Sequence, residues 1–490
     1  MEEGIFDAGD SEAEISRLKR PAKRQDWATP DGTLFDLTVP ATVYPPREDT
    51  NVLARALRTL GPGKGQRLLE IGCGSGAVSI YAASLGYRVR ACDINPYAAA
   101  ATKANAKRLG LEVEVFEGGP GPKEDGPVEQ WAGREPHDIV VWNLPYLSHD
   151  ASIDEVLGPL EEAALLDTDQ KGLTSRLMKH VSNNQLINDQ GLILLLVSGN
   201  DRGLQAERVA QKHGFAARCV ATHSFEDGDP LRVVAIWQPY NGASRHHFNE
   251  IPSTNQAALD QSQCVGDLFT AQHQSKARGR RNRIWSSEDK CFAGTWTLAL
   301  GTPAMSPGLI QILAGHAIIT THAILGVKEE AMVLKWPNDI IQLTDGSAGK
   351  VAGVLVEGVS KGDESKIVLG IGVNFSTNQP RNHEFSIAYL DEVKPEVEPE
   401  FYTAVIHAVI ASYFERRDDV KSTPYETLIE MLNKEVKRSE HVLGKPNYRL
   451  EEWVIKELDN EGGLTLTNSQ NKTVIISDGE DLEWPLISHD

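Results

Sequence analysis

A chain of 490 residues is too long for one ordinary domain, and two or three are expected. Its 40% apolar and 24% charged residues fit a soluble globular protein. The formal net charge of −20 argues against general binding to nucleic acid or to an anionic membrane, since both need a basic face. Five scattered cysteines, Cys73, Cys92, Cys219, Cys264 and Cys291, form no C-x-x-C pair, which suits reduced thiols, a cytoplasmic setting and no structural zinc or other metal. The longest strongly apolar run, Leu192 to Val197, is too short to cross a bilayer. Met1 to Glu14 lacks the basic start and apolar core of a signal peptide.

Residues 1–30 are mostly charged and polar and read as a flexible tail. Pro45 and Pro46 mark a turn. The helix after them places Val52, Leu53, Ala56, Leu57 and Leu60 on one face, with Asp49 or Thr50 as its cap. From Arg67 the pattern is strand, glycine turn, helix, strand: Leu68 to Ile71, Gly72-Cys73-Gly74-Ser75-Gly76, Ala77 to Leu85, and Arg88 to Cys92 ending on Asp93. This opens a doubly wound parallel sheet, which binds nucleotides at the carboxyl ends of its strands. Asp93 stands 17 residues beyond Gly76, where an acid accepts both hydroxyls of a ribose. The spacing is G-x-G-x-G rather than the dinucleotide G-x-G-x-x-G, and Glu70 precedes the first glycine by two residues. A carboxylate there clashes with a pyrophosphate but suits a sulfonium or an ammonium, which favours S-adenosylmethionine over NAD.

Asp138 to Trp142 is a later strand, and it delivers Asn143-Leu144-Pro145-Tyr146. In isolation this is a turn ended by proline. At the edge of such a sheet it suits an amide or amino substrate: the Asn143 oxygen accepts one N–H, a backbone carbonyl beside Pro145 accepts a second, and Tyr146 offers an apolar wall. With the Tyr44–Thr50 stretch, the Glu70–Gly76 turn and Asp93, these residues make Leu34 to Trp237 resemble a class I methyltransferase. The branch is the one that methylates the glutamine side chain of peptide-chain release factors. The resemblance implies that Glu70, Gly72, Gly74, Gly76, Asp93 and Asn143 hold S-adenosylmethionine, that Asn143 is catalytic, and that Asn143 to Tyr146 receive the methyl acceptor. The family pattern has two prolines in that last motif, and this chain has Leu144 in place of the first.

Gly191 to Val197 and Arg232 to Trp237 read as further strands, and Leu204 to His213 as a helix. Residues 239–246, with Pro, Asn, Gly, Ala and Ser, read as a linker. Beyond it, Ser253-Thr254-Asn255 precedes a helix from Gln256 to Gln261, with Ser253 or Thr254 as its cap. Phe269 to Gln274 leads into Arg278-Gly279-Arg280-Arg281-Asn282-Arg283-Ile284-Trp285. Four guanidinium groups this close repel one another and call for an anion. Arginine keeps its proton and forks onto phosphate and carboxylate oxygens. Leu309 to Leu325 is a mainly apolar helix. Lys335-Trp336-Pro337-Asn338-Asp339 follows, then Lys350-Val351-Ala352-Gly353-Val354-Leu355-Val356-Glu357, then Gly370-Ile371-Gly372-Val373-Asn374. An inward lysine such as Lys350 needs a negative partner. Helices from Phe401 to Arg417 and Tyr425 to Lys437 give way to short strands from Glu452 onward.

In this order the motifs resemble those of biotin–protein ligases over His247 to Trp484. The resemblance implies two steps: the biotin carboxylate attacks the α-phosphate of ATP, and a lysine of a biotin carboxyl carrier protein then attacks the biotinyl-adenylate. It assigns Ser253, Thr254, Asn255 and Gln274 to biotin's polar ring and tail. Arg278, Gly279, Arg280, Arg281 and Arg283 go to the anions with Mg2+, and Lys350 and Arg280 become catalytic. Trp285 and Trp336 wall the ligands, and Lys335, Asn338, Asp339, Gly353 and Asn374 complete the site. Asp339 orients basic groups or the attacking lysine. The family has glycine where this chain has Ala277 and Asn282.

The implied fold class is α/β. A Rossmann-like methyltransferase sheet occupies 31–238, an α+β ligase catalytic domain 247–437 and a small SH3-like β-barrel 438–490. A bifunctional enzyme follows, with carrier protein and release factor as partners and no specific DNA or membrane binding. Three alternatives stay open: lipoate transfer by the second half, a methyltransferase of DNA or another substrate in the first, and a first half that only docks. A DNA-binding repressor is disfavoured, because no short basic three-helix segment precedes the ligase motifs.

Overall fold

The computed structural model describes residues 20–120, 127–145, 172–226, 229–279, 285, 290–344, 347–361, 364–376 and 386–486. The chain forms two compact units: Met1–Gln238 with Arg417–Ser422, and Pro239–Arg416 with Thr423–Asp490.

In the first unit the expected tail is partly ordered. β1 (Lys23–Ala28) pairs antiparallel with β2 (Leu34–Val39). Trp27 anchors it, 4% exposed, with its indole stacked on Phe35 and its Nε1 donating to Asn51 Oδ1 at 2.8 Å. The charged neighbours of Trp27 face outward, which is why composition alone suggests a tail. α1 (Glu48–Thr59) starts two or three residues earlier than expected, with Arg47 at the cap position. Thr50 sits inside the first turn, where its hydroxyl accepts the Arg47 N–H at 3.3 Å. Asp49 turns away to a different task.

β3 (Arg67–Ile71), α2 (Ala77–Ser84), β4 (Arg88–Asp93), α3 (Pro96–Arg108), β5 (Val113–Glu117), α4 (Val128–Trp131), β6 (His137–Asn143), α5 (Leu173–Asn184), β7 (Ile187–Ser198), α6 (Ala206–Lys212), β8 (Ala216–His223) and β9 (Leu231–Trp237) follow. The sheet order is β5-β4-β3-β6-β7-β9-β8. The first five of these strands run parallel. β9 runs against both β7 and β8, so the sheet is mixed rather than wholly parallel. The β8–β9 connection, residues 224–230, is too short for the crossover a parallel pair needs. Leu69, Ile71, Val140, Trp142 and Ile193 of the central strands share a core with Leu177, Met178 and Val181 of α5. Each such side chain contributes about 1.5–3 kcal/mol on burial. Strand order reverses between β3 and β6, where Ile71 lies beside Trp142. The crevice at that reversal is where open α/β sheets bind ligands.

The second unit has a seven-stranded sheet of β10 (Arg245–Ile251), β11 (Leu268–Gln274), β12 (Lys290–Leu300), β13 (Met332–Lys335), β14 (Asp339–Thr344), β15 (Ser347–Lys361) and β16 (Glu364–Ser376), in the order β10-β11-β12-β16-β15-β14-β13. All its pairs are antiparallel except β10–β11. α7 (Thr254–Gln261) sets Ala257 and Ala258 against Phe269 and Val368. α8 (Pro307–Ile324) is apolar and long enough to cross a membrane by composition, yet most of it is buried in this unit, packed on β13, β14 and β15 and against α9 (Pro399–Phe414).

α10 (Tyr425–Leu443) runs through the boundary expected after Lys437. Arg438 Nη2 donates to the Met332 carbonyl at 2.8 Å, and the Ser439 hydroxyl donates to that of Leu334, so the helix stays tied to β13 beyond that point. The last segment forms a hairpin of β17 (Asn447–Tyr448) and β18 (Glu451–Glu452). A three-stranded antiparallel sheet follows, of β19 (Val454–Leu458), β20 (Leu464–Thr467) and β21 (Thr473–Ile476).

Candidate active sites

In the first unit, β3 ends by delivering Glu70 and the glycine turn. Gly72, Gly74 and Gly76 have φ of +68°, +55° and +88°, angles that side chains resist. A Cβ on Gly76 would also lie 2.9 Å from Thr102. The turn is fixed from outside: Thr102 Oγ1 donates to Gly74 O at 3.0 Å, and Asn105 Nδ2 to Ser75 O at 2.9 Å. Each oxygen of Asp93 accepts one backbone N–H at 2.9 Å, Oδ2 from Gly74 and Oδ1 from Asn95. Each keeps a second lone pair for a hydroxyl.

Burial pushes Asp93 up to about 6 despite those bonds. It pushes Glu70 up to about 8, partly offset by the hydroxyl of Ser79, which donates to Glu70 Oε2. Glu70 is thus largely uncharged at neutral pH, and a positive ligand placed beside it would restore the charge.

Across the crevice Asn143 ends β6. Its Nδ2 donates to Asp49 Oδ2 at 2.9 Å. Its Oδ1 is sealed from solvent and has no hydrogen-bond partner. Leu144 is buried and its N–H goes to Leu196 O at 3.0 Å, while Pro145 follows at the end of the described segment. Tyr146 lies outside the described residues. Beside Asp49 opens a cavity of about 320 Å³ reaching Tyr44, Arg47, Ser198, Phe225 and Asp229. No sequence motif pointed to Ser198, Phe225 or Asp229. They come from strand ends and loops that only the sheet order brings together.

The second unit holds a cavity of about 700 Å³. Ser253 caps α7, accepting from Gln256 N at 3.4 Å, and so points Thr254 and Asn255 into the cavity wall. Gln274, at the end of β11, accepts from Thr254 N at 2.9 Å. Asn255 Oδ1 accepts from Thr295 Oγ1 at 2.6 Å, and its Nδ2 donates to Glu357 Oε2 at 2.8 Å. The other oxygen of Glu357 takes Arg278 Nη1 at 3.3 Å, while Arg278 Nη2 donates to Gln256 Oε1 at 2.8 Å. Glu357 therefore joins the asparagine to the first arginine of the loop.

Lys350 Nζ lies 2.6 Å from Asp339 Oδ1, the negative partner an inward lysine requires, and 4.9 Å from the centre of the Trp285 ring. A Cβ on Gly353 or Gly372 would lie 2.8 and 2.9 Å from that ring, and one on Gly370 would lie 2.2 Å from Asn255 Oδ1. These glycines make room for protein side chains. Asn374 Nδ2 donates to Lys350 O at 3.2 Å, and Asn338 Nδ2 to Val354 O at 3.0 Å. Trp336 is 2% exposed and spends its Nε1 on Gly462 O at 3.0 Å, so it supports the cavity wall from within the fold.

Gly279 and Lys335 also line the cavity. Arg280, Arg281 and Arg283 lie outside the described residues. Sequence reasoning passed over Gln256, Thr295 and the segment from Gly479 to Leu486, which lines the cavity through Gly479, Glu480, Leu482 and Leu486. Glu357 closes a quoted motif and was the one readable signal among the missed partners.

Two family models match the chain. That of the biotin/lipoate A/B protein ligase family covers residues 248–374, and that of a methyltransferase domain covers 68–154. The methyltransferase match thus precedes the biotin/lipoate ligase match along the chain. The bifunctional ligase/repressor BirA of Salmonella typhimurium is 35% identical over 132 residues, 26% of this chain and 39% of that protein. A putative protein N5-glutamine methyltransferase of Methanocaldococcus jannaschii is 36% identical over 118 residues, 24% of this chain and 54% of that protein. The chain thus spans about half or less of the length of these two relatives. A solved biotin protein ligase from Aquifex aeolicus, in complex with biotin and ATP, is 19% identical, with 49% of this chain and 98% of that chain covered and a TM-score of 0.37.

Proposed function

We propose that the chain is a bifunctional enzyme: an ATP-dependent biotin–protein ligase in its second unit, and an S-adenosylmethionine-dependent methyltransferase of a protein glutamine side chain in its first. The observation that carries the ligase reading is the convergence of residues from Ser253 to Asn374 on one cavity, with Lys350 set beside Asp339 inside it.

A carboxylate and a triphosphate repel, and preorganised positive charge lowers the barrier to their reaction. Lys350 and Arg278 stand ready, and the reading adds Arg280, Arg281 and Arg283 from the loop. Mg2+ arrives with the nucleotide as part of the substrate. Asp339 holds the Lys350 ammonium in place until an anion competes for it. A biotin carboxylate oxygen bonds to the α-phosphorus and pyrophosphate leaves. The amine of an acceptor lysine then bonds to the acyl carbon and AMP leaves. The polar network of Thr254, Asn255 and Gln274 suits the ring of biotin, whose ureido group needs both donors and acceptors. A biotin carboxyl carrier protein is the acceptor in this reading.

In the first unit the buried acid Glu70 fits a cationic co-substrate. S-adenosylmethionine supplies an electrophilic methyl group when bound. Glu70 holds the positive end, Asp93 accepts the ribose hydroxyls, and Asn143 Oδ1 accepts an N–H of the acceptor amide. The glutamine of a release factor is the acceptor in this reading. The ligase family model covers lipoate as well as biotin, and the arginine loop with Trp285 and the Lys335–Asp339 motif favours biotin. Incubating the chain with labelled biotin, labelled lipoate, ATP and carrier domain, and separately with labelled S-adenosylmethionine and release factor, tests both halves by mass spectrometry. Lipoate transfer without biotin transfer would sink the ligase reading, and an unmethylated glutamine would sink the other.

A further inference from the structure

We infer that Asp49 is the positioning residue for methyl transfer: by gripping the amide nitrogen of Asn143 it aims the Asn143 oxygen at the acceptor, and so selects an acceptor that donates N–H. This rests on the reading of the first unit as a methyltransferase and adds to it the group that decides which way its asparagine faces. An asparagine amide can rotate half a turn with little change in shape, presenting either NH2 or C=O to a substrate. The amide that faces a carboxylate must be the NH2, because an ionised carboxylate only accepts. Asp49 Oδ2 takes that NH2 at 2.9 Å across 94 residues of sequence. Its other oxygen is occupied by Thr50, from the backbone N–H at 2.7 Å and the hydroxyl at 3.3 Å. Asp49 is 4% exposed, so water is a poor substitute for either bond.

The consequence is the sealed, unpartnered Oδ1 of Asn143. A buried acceptor without a donor is unfavourable, and an arriving N–H relieves it. A hydroxylate or carboxylate acceptor would meet like polarity there instead. In the sequence Asp49 stands out as a possible helix cap within the Tyr44–Thr50 stretch, and its bond to Asn143 adds a second task.

The test compares Asp49→Asn with Asp49→Ala in the full chain. In Asp49→Asn the Thr50 N–H still requires an oxygen, which turns the new NH2 toward Asn143. Asn143 then flips to offer its oxygen inward and its NH2 to the acceptor. Asp49→Ala merely frees the amide. Both variants are expected to lower kcat for methyl transfer about 10-fold to 100-fold, the effect of losing a charge-assisted hydrogen bond. The isosteric Asn is expected to be at least as damaging as Ala, and calorimetry should find S-adenosylmethionine affinity within about twofold of the unaltered chain. A purely structural role predicts the reverse order, with Asn tolerated and Ala harmful. More than half of kcat retained by Asp49→Asn would overturn the inference, as would loss of S-adenosylmethionine binding in both variants. No transfer by the unaltered chain to any amide-bearing protein would instead bring down the methyltransferase reading beneath it.

Discussion

Binding of S-adenosylmethionine should release a proton, because the acid that faces it is uncharged while the site is empty. Burial holds Glu70 at about 8. A carboxyl with that value is about 1% ionised at pH 6 and about a quarter ionised at pH 7.5. If the positive ligand binds only the ionised form, affinity rises about 20-fold over that interval. Asp93, held at about 6, adds a shallower dependence at the acid end. Calorimetry in buffers of different ionisation heat reads the proton directly, and about 0.9 should leave per ligand at pH 7.

The same burial penalises the free protein. Glu70 has a folded pKa above its ordinary value of 4.5, so the native state holds the proton more tightly and stability falls as pH rises from about 4.5 to 8. At pH 7 the loss is about 3 kcal/mol. Glu70→Gln should therefore raise the melting temperature of the free chain, abolish proton release and weaken ligand binding. A flat affinity between pH 6 and 7.5 with no buffer dependence would refute the reasoning.

Four further outcomes are expected. Lys350→Ala should lower biotinyl-adenylate formation about 100-fold or more, as loss of a charged transition-state donor does, and leave methylation intact; pyrophosphate exchange measures it. Asn143→Ala should abolish methyl transfer and spare biotinylation, read on the same sample with two labels. Gly353→Ala or Gly372→Ala pushes a methyl group against the Trp285 ring, a clash of about 1–3 kcal/mol that should displace the indole and change its fluorescence. His322 and His407 are each lowered by burial to about 3 from an ordinary 6.5. The unfolded chain binds their protons first, so stability is lost as pH falls below about 6.5, by about 2 kcal/mol for each histidine at pH 5. Urea melts at pH 7 and pH 5 should show it in the second unit.

The glycine turn and its flanking acids were legible because they are local: three positive φ angles and a strand end fix Glu70, and Asp93 follows one helix later. The residues of the second cavity were legible as motifs, and the fold explains why they sit in one place, since the end of β11, the start of β14, stretches of β15 and β16 and the start of α7 all line it. Pairings across long separations were not legible. Nothing in the letters says that Asp49 reaches Asn143, or that Glu357 holds Asn255 and Arg278 together, because each depends on how helices lie across a sheet. β1 hid behind its charged outer face. The end of α10 hid because the carbonyls that hold Arg438 and Ser439 belong to a strand about a hundred residues earlier.

The segment from Gly479 to Leu486 makes the second cavity sensitive to truncation. It completes the wall of a cavity whose other residues end at Ile387. Under the ligase reading, a chain lacking these residues has a cavity open on one side. A variant truncated before Gly479 keeps Arg278, Lys335 and Lys350 of that cavity, and under the ligase reading it is expected to lose its acyl-adenylate to water.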